Sequence, residues 1–221
     1  MLPKRLLFVS QFFRGRRNRK LCDMIALRHR EIGRKLDVVD IGGSYVFWMT
    51  IPEQYRAMCN ISLVNMPGEY ERIYIEDHAA IRDTVKSLTG DARSMPQFAD
   101  GQFDLVICNS VIEHVGHWMD MKSAAAEARR LGRHGWIQVP AFEFPVEQHF
   151  ITPLAHWFAD PIQRRLLQLF NKTFRGRDAD AMFMSMYHVR PLSRWQMRQL
   201  FPQATLRSEW LLFPKSHMAI W

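Results

Sequence analysis

The chain has 221 residues, 48% of them hydrophobic and 12% aromatic, with 30 Lys+Arg against 22 Asp+Glu for a net charge of +8. That content excludes intrinsic disorder and suits one α/β domain over residues 1–221, and no apolar run approaches the ~20 residues that a membrane-spanning helix needs. Cys22, Cys59 and Cys108 stand far apart with no CxxC pair, which argues against a disulfide frame and against a thiolate zinc site.

The opening MLPKRLLFVSQFF has a short apolar core that Gln11 interrupts, and arginines follow where a cleaved leader would place small residues. A cytoplasmic protein is therefore expected. Residues 1–36 read as a basic and helical leader. Its densest stretch, RGRRNRK from Arg14 to Lys20, is first of all a solvated lead into the first helix. The functional alternatives are an anionic substrate, an acidic membrane surface or a nucleic acid. Nucleic acid comes last, because no aromatic residues interleave with the charges.

Apolar residues at 21, 24, 25, 32 and 36 predict a helix over Leu21 to Leu36, with Gly33 weakening only its final turn. Val38 to Ile41 is a first strand, apolar on both faces as a central parallel strand should be. Ile61 to Val64 is a second, ending at Asn65 before a Pro67-Gly68 turn. Residues 70 to 83 are ambiguous, with Arg72 to Ile75 as a possible short strand. Val85 to Leu88 makes a third strand running into Gly90-Asp91. Phe103 to Cys108 makes a fourth, ending in the polar pair Asn109-Ser110. A helix is expected over Asp120 to Arg133, its C-terminal arginines suiting the helix dipole, and a fifth strand over Trp136 to Val139, closed by Pro140. Strands alternating with helices predict a doubly wound, mostly parallel sheet with right-handed crossovers.

The last third differs. Residues 141–190 form a long excursion with Leu154, Phe158, Ile162, Leu166 and Leu169 at helical spacing, and Asp160-Pro161 reads as an N-cap followed by proline at the first helical position, so two helices are expected. Ser193 with Gln196 matches a capping box for a short helix before Pro202. Ala204 to Phe213 and Ser216 to Trp221 read as two closing strands.

In such a sheet the ligand crevice lies at the carboxyl edge of the strands. Asp40, Gly42 and Gly43 stand at that edge after the first strand, and Asp91-Ala92 after the third. Together with the stretches VIEHV (Val111 to Val115) and FPVEQH (Phe144 to His149), these residues resemble the class I S-adenosylmethionine-dependent methyltransferases, and within them a bacterial subgroup with DxGG and VIEHV-like motifs. The resemblance implies a seven-stranded Rossmann-like sheet ending in an antiparallel pair, with 141–190 as a helical cap inserted after the fifth strand. It implies S-adenosylmethionine as cofactor, held by Asp40, Gly42, Gly43, Ser44, Asn65, Asp91, Ala92, Asn109 and Ser110.

Three departures qualify it. Ser44 and Val46 stand where the family has further glycines, with Gly43 supplying the flexible position early. Asn65 replaces the carboxylate that usually holds the ribose; an amide can donate to one hydroxyl and accept from the other, and Glu69 is a second candidate. The loss of GxGxxG and of that acidic residue also weakens a nicotinamide reading. Glu113-His114 resembles the Glu-His pair of ubiquinone-type O-methyltransferases, whose cluster can hold a metal; Ser110 here removes one hard oxygen ligand, so no metal is expected. His114 and His149 are the candidate bases, since histidine titrates near neutrality. The expected acceptor is a hydroxyl or amine of a small molecule or glycan. The alternatives are an RNA or protein methyltransferase using the basic run, and a silent binding module that keeps only the fold.

Overall fold

A computed structural model describes residues 4–67 and 84–221, with side chains from Arg14 onward. Glu69, Gly68 and the possible strand at Arg72 to Ile75 lie outside the described residues. The chain opens with helix α1 (Lys4–Ile32) and strand β1 (Leu36–Ile41), then short helices α2 (Tyr45–Met49) and α3 (Glu53–Arg56) and strand β2 (Cys59–Asn65). Strands β3 (Val85–Thr89) and β4 (Phe103–Asn109) follow, then helix α4 (Trp118–Leu131) and strand β5 (Gly132–Pro140). The excursion holds a two-stranded hairpin, β6 (Val146–Glu147) with β7 (Thr152–Pro153), and helices α5 (Asp160–Phe170) and α6 (Ala179–His188). Helix α7 (Arg194–Leu200) and strands β8 (Thr205–Leu211) and β9 (Phe213–Ile220) close the chain.

Seven strands form one sheet in the order β3-β2-β1-β4-β5-β9-β8. The first five in that order are parallel, and β9 runs antiparallel to both β5 and β8. The expected mostly parallel, seven-stranded sheet is thus present, antiparallel pair included. Apolar faces on both sides of β1 and β4 are buried by two separate layers. On one side Leu21, Ile25 and Trp48 from α1 and α2 pack with Val38, Ile61 and Leu105. On the other, Met121, Ala124 and Ala128 of α4 and Met197 and Leu200 of α7 pack with Val39, Val106 and Ile137. The excursion has a small core of its own, in which Phe174, Met182 and Met186 surround Leu167.

Several boundaries differ from the sequence expectation. The first helix does not reach Leu36: Gly33 adopts φ +73° and its N–H caps the His29 carbonyl, which stops the helix at Ile32. The same helix extends back through the basic run to Lys4. Arg133 belongs to β5 and not to the preceding helix, since Gly132 leaves helical geometry at φ −116°. The N-cap of α5 is Ala159, with Asp160 and Pro161 inside its first turn, one residue earlier than expected. Leu154 is not helical at all but left-handed, φ 57°, ahead of a 3₁₀ turn at Ala155–Trp157. The capping box is as expected: Gln196 N–H donates to Ser193 Oγ, and the Ser193 N–H to Gln196 Oε1.

Candidate cofactor and acceptor site

A cavity of about 530 Å³ opens at the carboxyl edge of β1, β2 and β4. Gly42, Asn65, Asp91, Ala92 and Ser110 line it, together with His114, Val111 and Arg93, and with His188 at the end of α6. A hollow of about 790 Å³ lies elsewhere, around Lys35, Asp37, Cys59 and Phe103 at the amino-terminal ends of the strands. There the strands begin and the glycine turns are absent, so the smaller cavity is the functional candidate.

Gly42 turns the chain at φ +68°, and its N–H donates to the Val64 carbonyl at 2.7 Å. A Cβ at this position would run into Val111 Cγ2. Side chains are therefore excluded where the backbone borders the cavity, the arrangement that close ligand approach requires. Gly43 serves the fold instead: a Cβ there would collide with the Asp40 carboxyl group. Asn65 is buried and its Nδ2 donates to the Gly43 carbonyl at 3.0 Å, tying the end of β2 to the glycine turn. Asp91 accepts from the Arg93 backbone N–H and from its guanidinium, with Nη2 at 2.6 Å, and these bonds hold its carboxyl below the usual range. Ser110 is left-handed at φ 55°, a conformation that costs a non-glycine residue of order 1 kcal/mol. Its N–H donates to the Gln138 carbonyl at 2.8 Å, which holds it at the end of β4.

The other residues expected at the cofactor do not line this cavity. Ser44 is the N-cap of α2, its Oγ accepting from the Phe47 N–H. Among the described residues the buried Asn109 side-chain amide has no hydrogen-bond partner. Asp40 is fully buried under Trp48, whose indole N–H donates to it at 2.9 Å. Burial pushes the Asp40 carboxyl up to about 8, the indole bond opposing it. The group stays protonated in the fold where it would ionise in the unfolded chain, so folding stability falls as pH rises between about 4 and 8. Asp40→Asn keeps the shape and the acceptor but removes this titration. Its melting temperature is expected to gain on the wild type progressively across that window and to run parallel above it. A constant difference from pH 4 to 8 would show that Asp40 is ionised in the fold.

The second half of the site assembles around the 3₁₀ turn Ile112–His114. Glu113 is completely buried, and among the described residues neither carboxylate oxygen has a hydrogen-bond partner; burial raises it to about 7. The His114 ring lies edge-on to His149 at 4.9 Å and tilted against His188 at 5.3 Å. Burial, with those two imidazoles beside it, lowers His114 to about 4, so the ring is neutral at physiological pH. His149 Nδ1 is 2.8 Å from Glu147 Oε1, and Glu147 Oε2 accepts from the Phe150 N–H at 2.6 Å. Burial pulls His149 down, but the bond and charge of Glu147, with the charge of Glu113, hold it above its ordinary value. His114 lines the cavity, and His149 stands edge-on behind it, outside that lining. Glu143, the other acidic residue of this stretch, is used elsewhere, bridging His217 at 2.8 Å and the Arg194 N–H at 2.9 Å.

His188, Arg93 and the pairing of Glu147 with His149 are absent from the sequence reading of the site. Only Glu147 had a signal, two residues before His149 in a strand-edge segment.

Residues 39–137 match the family model described as a methyltransferase domain. This match, over 99 of the 221 residues, supports a class I S-adenosylmethionine-dependent methyltransferase. Among curated protein sequences no match is found. Among solved structures, the CurJ carbon methyltransferase is similar with a TM-score of 0.53 at 12% identity, over 85% of this chain and 48% of its own. The magnesium protoporphyrin IX methyltransferase of Synechocystis PCC 6803, which holds S-adenosylhomocysteine, matches with a TM-score of 0.52 at 12% identity over 92% and 82%. An O-methyltransferase family protein of Burkholderia thailandensis matches at 0.56 and 12% over 94% and 57%. The chain spans about half the length of the first of these and little more of the third. At such identities the likeness is one of fold, the methyltransferase sheet. The cofactor of this family is S-adenosylmethionine, and the cavity suits it: a glycine turn that a Cβ would fill, an amide at the end of β2 and a carboxylate after β3 stand along one wall. Among the described residues no helix is long and apolar enough to cross a membrane.

Asn65 allows a direct test of the cofactor wall. Asn65→Ala is expected to weaken S-adenosylhomocysteine binding by about 0.5–1.5 kcal/mol, the net worth of a neutral hydrogen bond. Calorimetric titration measures it. Unchanged affinity would remove Asn65 from the ribose contact.

Proposed function

We propose that the protein transfers the methyl group of S-adenosylmethionine to a hydroxyl or amine of a small-molecule or glycan acceptor, bound between the β-strand edge and the 141–190 excursion acting as a cap. The observation that carries this reading is the Glu147-held His149 beside His114, at the cavity end where the cap meets the sheet. The cofactor supplies a sulfonium methyl for in-line displacement, so the chain's own task is chiefly alignment. Gly42 and Ser110 admit and position. His149 takes the acceptor's proton on Nε2, while Glu147 on Nδ1 orients the ring and stabilises the imidazolium. A base whose hold on a proton is strengthened by Glu147 fits this task, and a hydroxyl acceptor gains from it more than a neutral amine does.

Both ends of the cap are anchored. The Phe142 N–H donates to the Leu192 carbonyl at 3.1 Å, and the Arg190 N–H to the Glu113 carbonyl at 3.0 Å. Closure over the acceptor would exclude water from the reacting atoms. A methyl-transfer assay with labelled cofactor and a panel of hydroxyl- and amine-bearing metabolites and sugars tests the proposal. Turnover of one class, with little sensitivity to salt, is the expected result. Methylation of RNA or protein alone, with binding lost steeply as salt rises, would replace it. No cofactor binding would leave the silent-module reading.

A further inference from the structure

We propose that the tip of the β8–β9 hairpin, with the basic stretch of α1 beside it, docks the protein on an anionic phospholipid surface. Leu211 pairs with Phe213 across the hairpin, which leaves Leu212 at its tip. Trp210, Leu211 and Phe213 are exposed around it, and Leu212 itself is 94% exposed. The pairing of Pro140 with Ser216 sets the start of β9 at the carboxyl end of β5, so the tip projects from the edge of the sheet that holds the cavity.

Folding does not account for this tip. Leu212 adopts φ 59°, the left-handed region where a hairpin turn normally places glycine, asparagine or aspartate. A bulky side chain is strained there, and at this exposure it packs against almost nothing in the fold. Apolar residues in succession at an exposed turn, Trp210 to Phe213, mark a surface that meets something outside the chain.

The neighbouring charges select the occupant. Arg17 reaches from α1 to Glu209 of β8 at 3.3 Å, which lays the Arg14 to Lys20 stretch against the hairpin. Arg14, Arg16, Arg19 and Lys20 are exposed. Lys20 and Arg207 border one surface hollow with Trp210. Burial lowers both Arg17 and Lys215, and repulsion from Arg14 lowers each further, against the opposing pull of Glu209. Glu209 thus faces several cations at once. An anionic bilayer takes both halves of this surface. Its headgroups attract the arginines and lysines, the acyl boundary takes leucine and phenylalanine, and Trp210 sits at the interfacial level that tryptophan prefers. A second copy of the chain fits less well, because a symmetric contact would bring the cations against their own copies. Nucleic acid would use the charges and the tryptophan but has no place for Leu211 and Leu212.

The test is sedimentation of the full chain with vesicles of equal parts phosphatidylcholine and phosphatidylglycerol, against vesicles of phosphatidylcholine alone. Binding to the anionic vesicles only, weakened by added salt, is the expected result. Leu212→Gly relieves the left-handed strain, so it should melt no lower than the wild type. It should nevertheless bind the anionic vesicles at least about tenfold more weakly, through the lost apolar contact. Arg14→Gln and Arg207→Gln should each weaken binding about fivefold. Lys122→Gln, exposed on α4 against the opposite face of the sheet, should bind as the wild type does. Equal binding to both vesicles, binding to neither, or unchanged binding in Leu212→Gly or in both arginine variants would overturn the proposal. Binding of single-stranded RNA without binding of vesicles would assign the surface to nucleic acid instead. A dimer that Leu212→Gly dissolves, again without vesicle binding, would assign it to a second copy. The assay needs no cofactor, so its outcome is independent of the methyl-transfer reading.

Discussion

Gly42→Val is expected to abolish binding of S-adenosylhomocysteine at concentrations that saturate the wild type, a loss of at least 100-fold, or about 2.7 kcal/mol. Two effects act together. The backbone at Gly42 has φ +68°, where a β-branched residue is strained. A Cβ would also meet Val111 Cγ2, and relieving that contact moves either the turn or the wall of the cavity. The fold should survive with a melting temperature a few degrees lower, because the collision is with the end of a side chain and not with backbone. If the valine variant does not fold, Gly42→Ala combined with Val111→Ala removes the collision while keeping a Cβ at the cavity wall. That double variant should still bind at least tenfold more weakly. Wild-type affinity in a folded Gly42 variant would move the cofactor away from this turn.

His149→Ala should lower kcat by about 10²–10⁴, the usual worth of a positioned acid–base group, with cofactor affinity within about threefold of wild type. The split follows from position: His149 does not line the cofactor cavity, but its ring stands edge-on to His114, which does. Glu147→Gln should lose less, since it keeps an acceptor for Nδ1 while removing the charge that stabilises the imidazolium. A pure packing role would show instead as a lower melting temperature in both variants with kcat unchanged per folded molecule. Equal losses in kcat and in cofactor affinity would also remove the assignment.

The parts of this fold legible in the sequence are those governed by local rules. Apolar runs ending in polar or glycine turns located the five parallel strands, and the Ser193–Gln196 pair located α7. Helix α1 was under-read because its stretch from Arg14 to Lys20 is basic and carries no apolar stripe, while Leu21, Cys22 and Ile25 after it are buried against the sheet. Leu154 misled for another reason. Helical spacing placed it in a helix, but its left-handed backbone is imposed by the hairpin contact of its N–H with the Pro145 carbonyl. In the site, Gly42 and Asp91 were visible as turn residues. Asp40 was visible too, but sequence could not show that Trp48 covers its carboxyl. His188 gave no signal because it reaches the cavity only through the fold of the excursion, more than seventy positions after His114. Long-range encounters of this kind carry no periodicity.

Strand β8 is made before β9, yet among the described strands its one neighbour in the sheet is β9, which lies between it and β5. During synthesis β8 therefore has nowhere to dock until the segment after it has emerged. The parallel half of the sheet can form early, but its exposed edge at β5 must wait for β9, which follows β8 in the chain and runs in the opposite sense. The closing event joins positions some eighty residues apart, with Trp221 exchanging backbone hydrogen bonds with Gly135 and stacking on Phe201 at 5.7 Å. Such late, non-local pairing slows folding and leaves an unpaired edge open to other chains meanwhile. Aggregation during expression should accordingly respond more to changes in β9 than to equally destabilising changes in α4.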